Sequence, residues 1–149
     1  MIKITLFGST GLIGNEILRI LENDDAFENI NIVCFGGGPI SNEENELILE
    51  LGIENKKIIV MGDLNCLPDS KPINTLKSKL EDSHDISIRE PYGPIGTSNG
   101  FNLDKVIKNR IDYIFTKNIK VIDHRIIDDR RENNLFISDH LPVITKMIN

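Results

Sequence analysis

The sequence has almost no cysteine, no excess of basic charge, no long apolar run and no internal repeat. Each absence narrows what the chain can be. Cys34 and Cys66 are the two cysteines in 149 residues, and both adjoin strand-like apolar runs. They read as buried free thiols in a reducing compartment, which excludes a disulfide framework. The formal net charge is −6, which argues against tight nucleic-acid binding through general basic attraction. A nuclease is still allowed, because a divalent ion can supply positive charge locally. The opening run Ile2 to Phe7 is cut off by Gly8, too early for a membrane span or a secretory signal. The expected location is therefore the cytoplasm, with no membrane partner. An ordinary apolar fraction at this length fits one compact domain over residues 1–149.

What is present begins with Lys57-Ile58-Ile59-Val60-Met61-Gly62-Asp63-Leu64-Asn65, a β-branched run without internal charge that reads as a buried strand. If the extended backbone continues past Gly62, Asp63 and Asn65 share a face, because strand side chains alternate. The same residue types also suit a turn, and this stretch alone leaves both readings open.

Upstream, Ile2 to Phe7 reads as a strand, Gly8 to Gly14 as a glycine-rich turn, and Ile17, Leu18, Ile20 and Leu21 as a helical stripe. Ile30 to Phe35 is a second strand. Ser41-Asn42-Glu43-Glu44 is a capping box, opening a helix that carries Leu47, Ile48 and Leu51. The first 65 residues thus read βαβαβ, and the fold class is α/β (α+β), a mixed sheet with flanking helices. Downstream, Ser70 to Leu80 is a short helix and residues 82–104 a long turn-rich loop. Arg110 to Thr116 is a strand, Asn118 to Ile127 its expected antiparallel neighbour, and a last strand surrounds Pro142-Val143-Ile144. Arg130 and Arg131 read as part of a solvated loop.

Three strand ends carry polar residues: Asp63 with Asn65, Asp112, and Asp139 with His140. Singly, each has an ordinary structural explanation; Asp112, for example, could pair with Arg110 or Arg125. Jointly they suit hard-metal hydrolysis, with carboxylates for Mg²⁺, an imidazole held by an acid, and an amide for a phosphate oxygen.

Residues from about 41 to 149 resemble the C-terminal half of the endonuclease/exonuclease/phosphatase superfamily. The matching pieces are Met61-Gly62-Asp63-Leu64-Asn65, Pro68-Asp69-Ser70, Gly96-Thr97-Ser98-Asn99-Gly100-Phe101, Arg110-Ile111-Asp112-Tyr113-Ile114-Phe115 and Ser138-Asp139-His140-Leu141-Pro142-Val143. The resemblance implies that Asp63 orients or deprotonates the attacking water and that Asn65 holds a phosphate oxygen. It implies that His140 contacts the scissile phosphate and that Asp112 fixes its tautomer. Asp139, with Asp63, would bind Mg²⁺ or Mn²⁺. The partner implied is a phosphoester, either a small molecule or nucleic acid.

The same resemblance leads one to expect an early asparagine, a metal-binding glutamate and a middle-strand histidine. Phe35-Gly36-Gly37 stands where that histidine is expected, and neither His84 nor His124 lies at a corresponding place. Glu16 is the only early carboxylate at a helix start, with no motif around it. Weak or absent turnover by the chain alone is therefore expected, and a binding relative without catalysis is the rival.

The opening, about residues 1–38, resembles the first βαβ of a short-chain-dehydrogenase-type NAD(P)-binding domain, with Gly8, Gly11 and Gly14 at the turn. Its second strand ends in Cys34-Phe35-Gly36, with no acid for a ribose hydroxyl, so the turn reads first as structural, and NAD(P) binding through Gly8, Gly11 and Gly14 stays as an alternative. The chain looks composite, and recombination, a truncated gene and deliberate joining all stay open. If the opening does not cover the sheet, a homodimer is expected to do so.

Overall fold

The computed structural model describes residues 3–6, 30–35, 39–43, 46, 50, 56–102, 104 and 106–148. The turn holding Gly8, Gly11 and Gly14, the helical stripe after it and the glycines at 36–38 lie outside these residues. So does most of the helix opened by Ser41, although Asn42, Glu43, Glu46 and Glu50 are helical.

Among the described residues, five strands form one sheet in the order β1-β2-β3-β5-β4. They are β1 (Lys3–Leu6), β2 (Ile30–Phe35), β3 (Lys57–Asp63), β4 (Glu81–Asp82) and β5 (Asp112–Lys117). The first three run parallel, as the βαβαβ pattern requires. β5 then pairs antiparallel with β3, and β4 antiparallel with β5, so the sheet is mixed. The uncharged run of β3 is explained by its place: Ile58, Ile59 and Val60 are all buried, so both faces of the strand are covered.

One layer of the core gathers Ile58, Val60, Tyr113 and Phe115 from the sheet with Ile73, Leu76 and Leu80 from the chain beyond β3. The helix there, α1 (Lys71–Lys77), carries Pro in its first turn, where no backbone donor is lost. Ser70 occupies the N-cap position as expected, yet its hydroxyl makes no capping bond.

Two expectations need correction. The strand after β5, β6 (Lys120–Ile126), does not pair with it; β6 pairs with β7 (Val143–Ile148) in a separate two-stranded sheet. Both edges of β5 are already taken, by β3 and β4, so the chain leaves the first sheet at Asn118, which adopts a left-handed φ of 56°. Nor is the segment from 82 to 104 a plain loop. It contains the end of β4 and the short helix α2 (Ser83–Ile86), and Tyr92 and Ser98 form isolated bridges to Arg125 and Asn109. A buried ion pair helps anchor it: Arg110 Nη1 lies 2.8 Å from an Asp82 carboxylate oxygen, and its guanidinium sits 4.7 Å over the Tyr113 ring. Among the described residues no helix is long and apolar enough to cross a membrane.

Candidate active site

The antiparallel register sets the site. Asp63 is the partner of Asp112, the last residue of β3 facing the first of β5. Partner residues on neighbouring strands share a face, and Val60 with Phe115 occupies the opposite one. The pleat that drives Tyr113 and Phe115 into the core therefore turns both carboxylates to the other side. Gly62, immediately before Asp63, has φ 140°, a conformation that residues with a Cβ avoid.

Asn65 reaches the same place by a different route from simple alternation. The strand ends at Asp63, and Asn65 has a left-handed φ of 48°. Its backbone N–H donates to Asp63 Oδ1 at 2.9 Å and its side-chain amide to Asp63 Oδ2 at 2.7 Å. The turn and the site are thus the same feature: the amide that ends the strand also orients the carboxylate.

His140 arrives on the segment before β7. Its Nδ1 lies 2.9 Å from Asp112 Oδ2 and 3.1 Å from Oδ1. Asp112 therefore pairs with the imidazole, while Arg110 is engaged by Asp82 and Arg125 by Asp123. Ligand atoms of Asp63, Asp112 and His140 all fall within 4.8 Å of one another, one half-buried group that could hold a metal ion. Asp139 is outside that group; its carboxylate accepts from Ser138 Oγ at 3.4 Å, and its carbonyl accepts from the backbone N–H of Asn99 at 2.9 Å. Burial raises the Asp112 carboxyl above its ordinary range. The Thr97 hydroxyl and the His140 imidazole oppose that shift, and the charge of Asp63 adds to it.

Residues that sequence reasoning gave no role hold this arrangement. The fully buried Thr97 accepts from the backbone N–H groups of Ile111 and Asp112, each at 3.1 Å, and its carbonyl accepts from Leu141 N–H at 2.7 Å. One threonine thus ties the start of β5 to the residue after His140. Asn99, also buried, donates its side-chain amide to the Ser138 carbonyl at 3.0 Å. The motif holding both residues was visible, but a buried threonine and an ordinary loop threonine look alike in sequence. Gly96 lets this loop approach: a Cβ there would lie 2.5 Å from the backbone of Lys108 and Asn109.

A larger cleft, of about 500 Å³, lies elsewhere and shares no residue with this group; His84, Glu90, Tyr92 and His124 are among its walls. His124 is buried, with Nδ1 2.9 Å from Ser83 Oγ, 3.4 Å from Thr145 Oγ1 and its ring 5.3 Å from that of His84. Its Nε2 has no hydrogen-bond partner among the described residues. Burial, then the neighbouring His84, pulls its pKa down to about 4.

A mixed sheet with paired acids and a carboxylate-bound imidazole at its strand ends is of the phosphoesterase-like class. The sequence model of the Endonuclease/Exonuclease/phosphatase family matches residues 20–140, and the chain belongs to that family. The match takes in β2, the second strand of the segment that resembles a dehydrogenase opening, and leaves Gly8, Gly11 and Gly14 outside it. Solved structures agree. A conserved protein of unknown function from Enterococcus faecalis is 25% identical with a TM-score of 0.67, covering 78% of this chain and 49% of its own. A mannosyl-6-phosphatase of Bacteroides thetaiotaomicron is 26% identical with a TM-score of 0.62, covering 74% and 48%. An endonuclease/exonuclease/phosphatase family protein of the same organism is 28% identical with a TM-score of 0.59, covering 69% and 40%. The chain spans about half the length of the first two structures and less of the third. No curated protein matches it.

Proposed function

We propose that the chain carries a phosphoester-hydrolysing half-site, acting on a phosphodiester or phosphomonoester with Mg²⁺ or Mn²⁺. The observation that carries this reading is the Asp112–His140 pair at 2.9 Å beside the Asn65-oriented Asp63. Asp63 lies in the group that could hold such an ion, and Asp139, outside that group, would be its further carboxylate. Bound there, a divalent ion would offset charge building on the phosphate oxygens.

The side chains divide the remaining work. Asp63, held at both oxygens by Asn65, takes a proton from the attacking water; the second amide hydrogen of Asn65 is left for a phosphate oxygen. Water attacks phosphorus and the bond to the ester oxygen breaks in line. His140 presents Nε2 to the phosphate while Asp112 keeps the proton on Nδ1, the arrangement by which a carboxylate fixes an imidazole's tautomer. The mannosyl-6-phosphatase neighbour favours a small phosphoester over nucleic acid, in keeping with the net charge of −6.

Hydrolysis of bis-p-nitrophenyl phosphate in Mg²⁺ or Mn²⁺ tests this. Asp63→Ala and His140→Ala should each lower turnover roughly 10²- to 10⁴-fold while the folded circular-dichroism signal persists. An inert parent with an intact calorimetric transition would overturn hydrolysis and leave a binding relative.

A further inference from the structure

A second cleft, of about 260 Å³, adjoins the candidate site through His140 and Ser138 and has a different chemical character from it. Its walls are Ile127, Phe136, Ile137, Leu141 and Pro142. Phe136 and Leu141 belong to a small buried cluster with Ile126, so this floor is fixed by packing rather than by a mobile loop. The Arg130 guanidinium lies 4.4 Å over the Phe136 ring and holds that wall from outside. Ile137, by contrast, is 68% exposed and forms an apolar rim in water. The carboxylate in the lining, Asp129, disfavours a second anionic group.

We propose that this cleft receives the uncharged, apolar ester group of the phosphoester whose phosphate sits against His140. The volume is below that of a typical drug-sized pocket and suits one ring or a short alkyl chain. Continuity makes the assignment: the residue that faces the phosphate in the reading above is also a wall of the cleft, so a group esterified to that phosphate leads directly into it. An ester with a second phosphate or a carboxylate meets Asp129 and is disfavoured. The preferred substrate class is accordingly a phosphodiester with one aryl or alkyl arm. This inference rests on the hydrolytic reading for its substrate but on the cleft alone for its binding preference.

The test compares p-nitrophenyl phenyl phosphate with p-nitrophenyl methyl phosphate as substrates, and phenylphosphonate with methylphosphonate as ligands in calorimetry, all in Mn²⁺. The parent should prefer the phenyl member of each pair about 10-fold, the scale of one small apolar group in a fitted pocket. Ile137→Ser should cut that ratio to about 3-fold or less, whereas Ile88→Ser, an isoleucine of similar exposure outside the cleft, should leave it unchanged. Equal affinity for the two phosphonates, or no binding of either, overturns the cleft assignment. Absence of turnover together with a retained phenylphosphonate preference overturns hydrolysis instead and leaves the cleft standing.

Discussion

His140 bonds a carboxylate at a half-exposed strand end, whereas His124 bonds a hydroxyl inside the packed region between α2 and the two-stranded sheet. One imidazole is paired with an acid; the other is buried and, among the described residues, has no acid within hydrogen-bond reach. His124 is held neutral by burial, and its Nε2, without a partner among the described residues, makes it a packing element with an unmet polar demand. Residue type thus decides little. The partner on Nδ1 and access to solvent separate a group able to handle protons from one that merely fills space.

Asp112→Asn breaks this contrast most severely, because it gives His140 a neutral partner of the kind His124 has. An amide can donate to Nδ1 and enforce the wrong tautomer, so kcat for bis-p-nitrophenyl phosphate should fall roughly 10³-fold while Tm moves by only a few degrees. Gly96→Ala strikes the His140 end through the backbone. With Lys108 and Asn109 backbone atoms 2.5 Å from the added carbon, denaturant unfolding should report a loss of about 2–3 kcal/mol. The same variant should also lower turnover, since Thr97 follows directly.

The smallest effect belongs to the other histidine. The unfolded chain protonates His124 near pH 6.5 and the folded chain only near 4, so between those values the unfolded state binds more protons. Stability is therefore intact above about pH 6.5 and lost as pH falls toward 4, by about 2 kcal/mol between pH 7 and pH 5. The raised Asp112 carboxyl works with the opposite sign, gaining stability as acid protonates it in the folded state. Urea titrations of the parent and His124→Gln should show the acid-side slope flattened in the variant.

These contrasts explain what the sequence could and could not convey. Asp63, Asn65, Asp112 and His140 were legible because each follows or precedes an apolar run whose burial fixes where the polar neighbour must emerge. The three parallel strands were legible for the same reason. The partner of β6 was not, since alternation announces a strand without saying which sheet receives it. The two residues of β4 are too few to show any period, and their pairing depends on β5, about thirty positions away in the chain. At Asn65 the sequence left turn and extended strand both open: the backbone turns, and the carboxylate is met all the same.

The pairing of Asp63 with Asp112 also bears on how the chain finds its fold. A slip of one residue between β3 and β5 would rotate Asp112 into the layer of Tyr113 and Phe115 and turn both rings out of that layer. A buried carboxylate without its imidazole is costly, and so is an aromatic pair without its core. The misaligned sheet is thus penalised twice for one error, and the acids that equip the site also proofread the alignment of the strands that carry them.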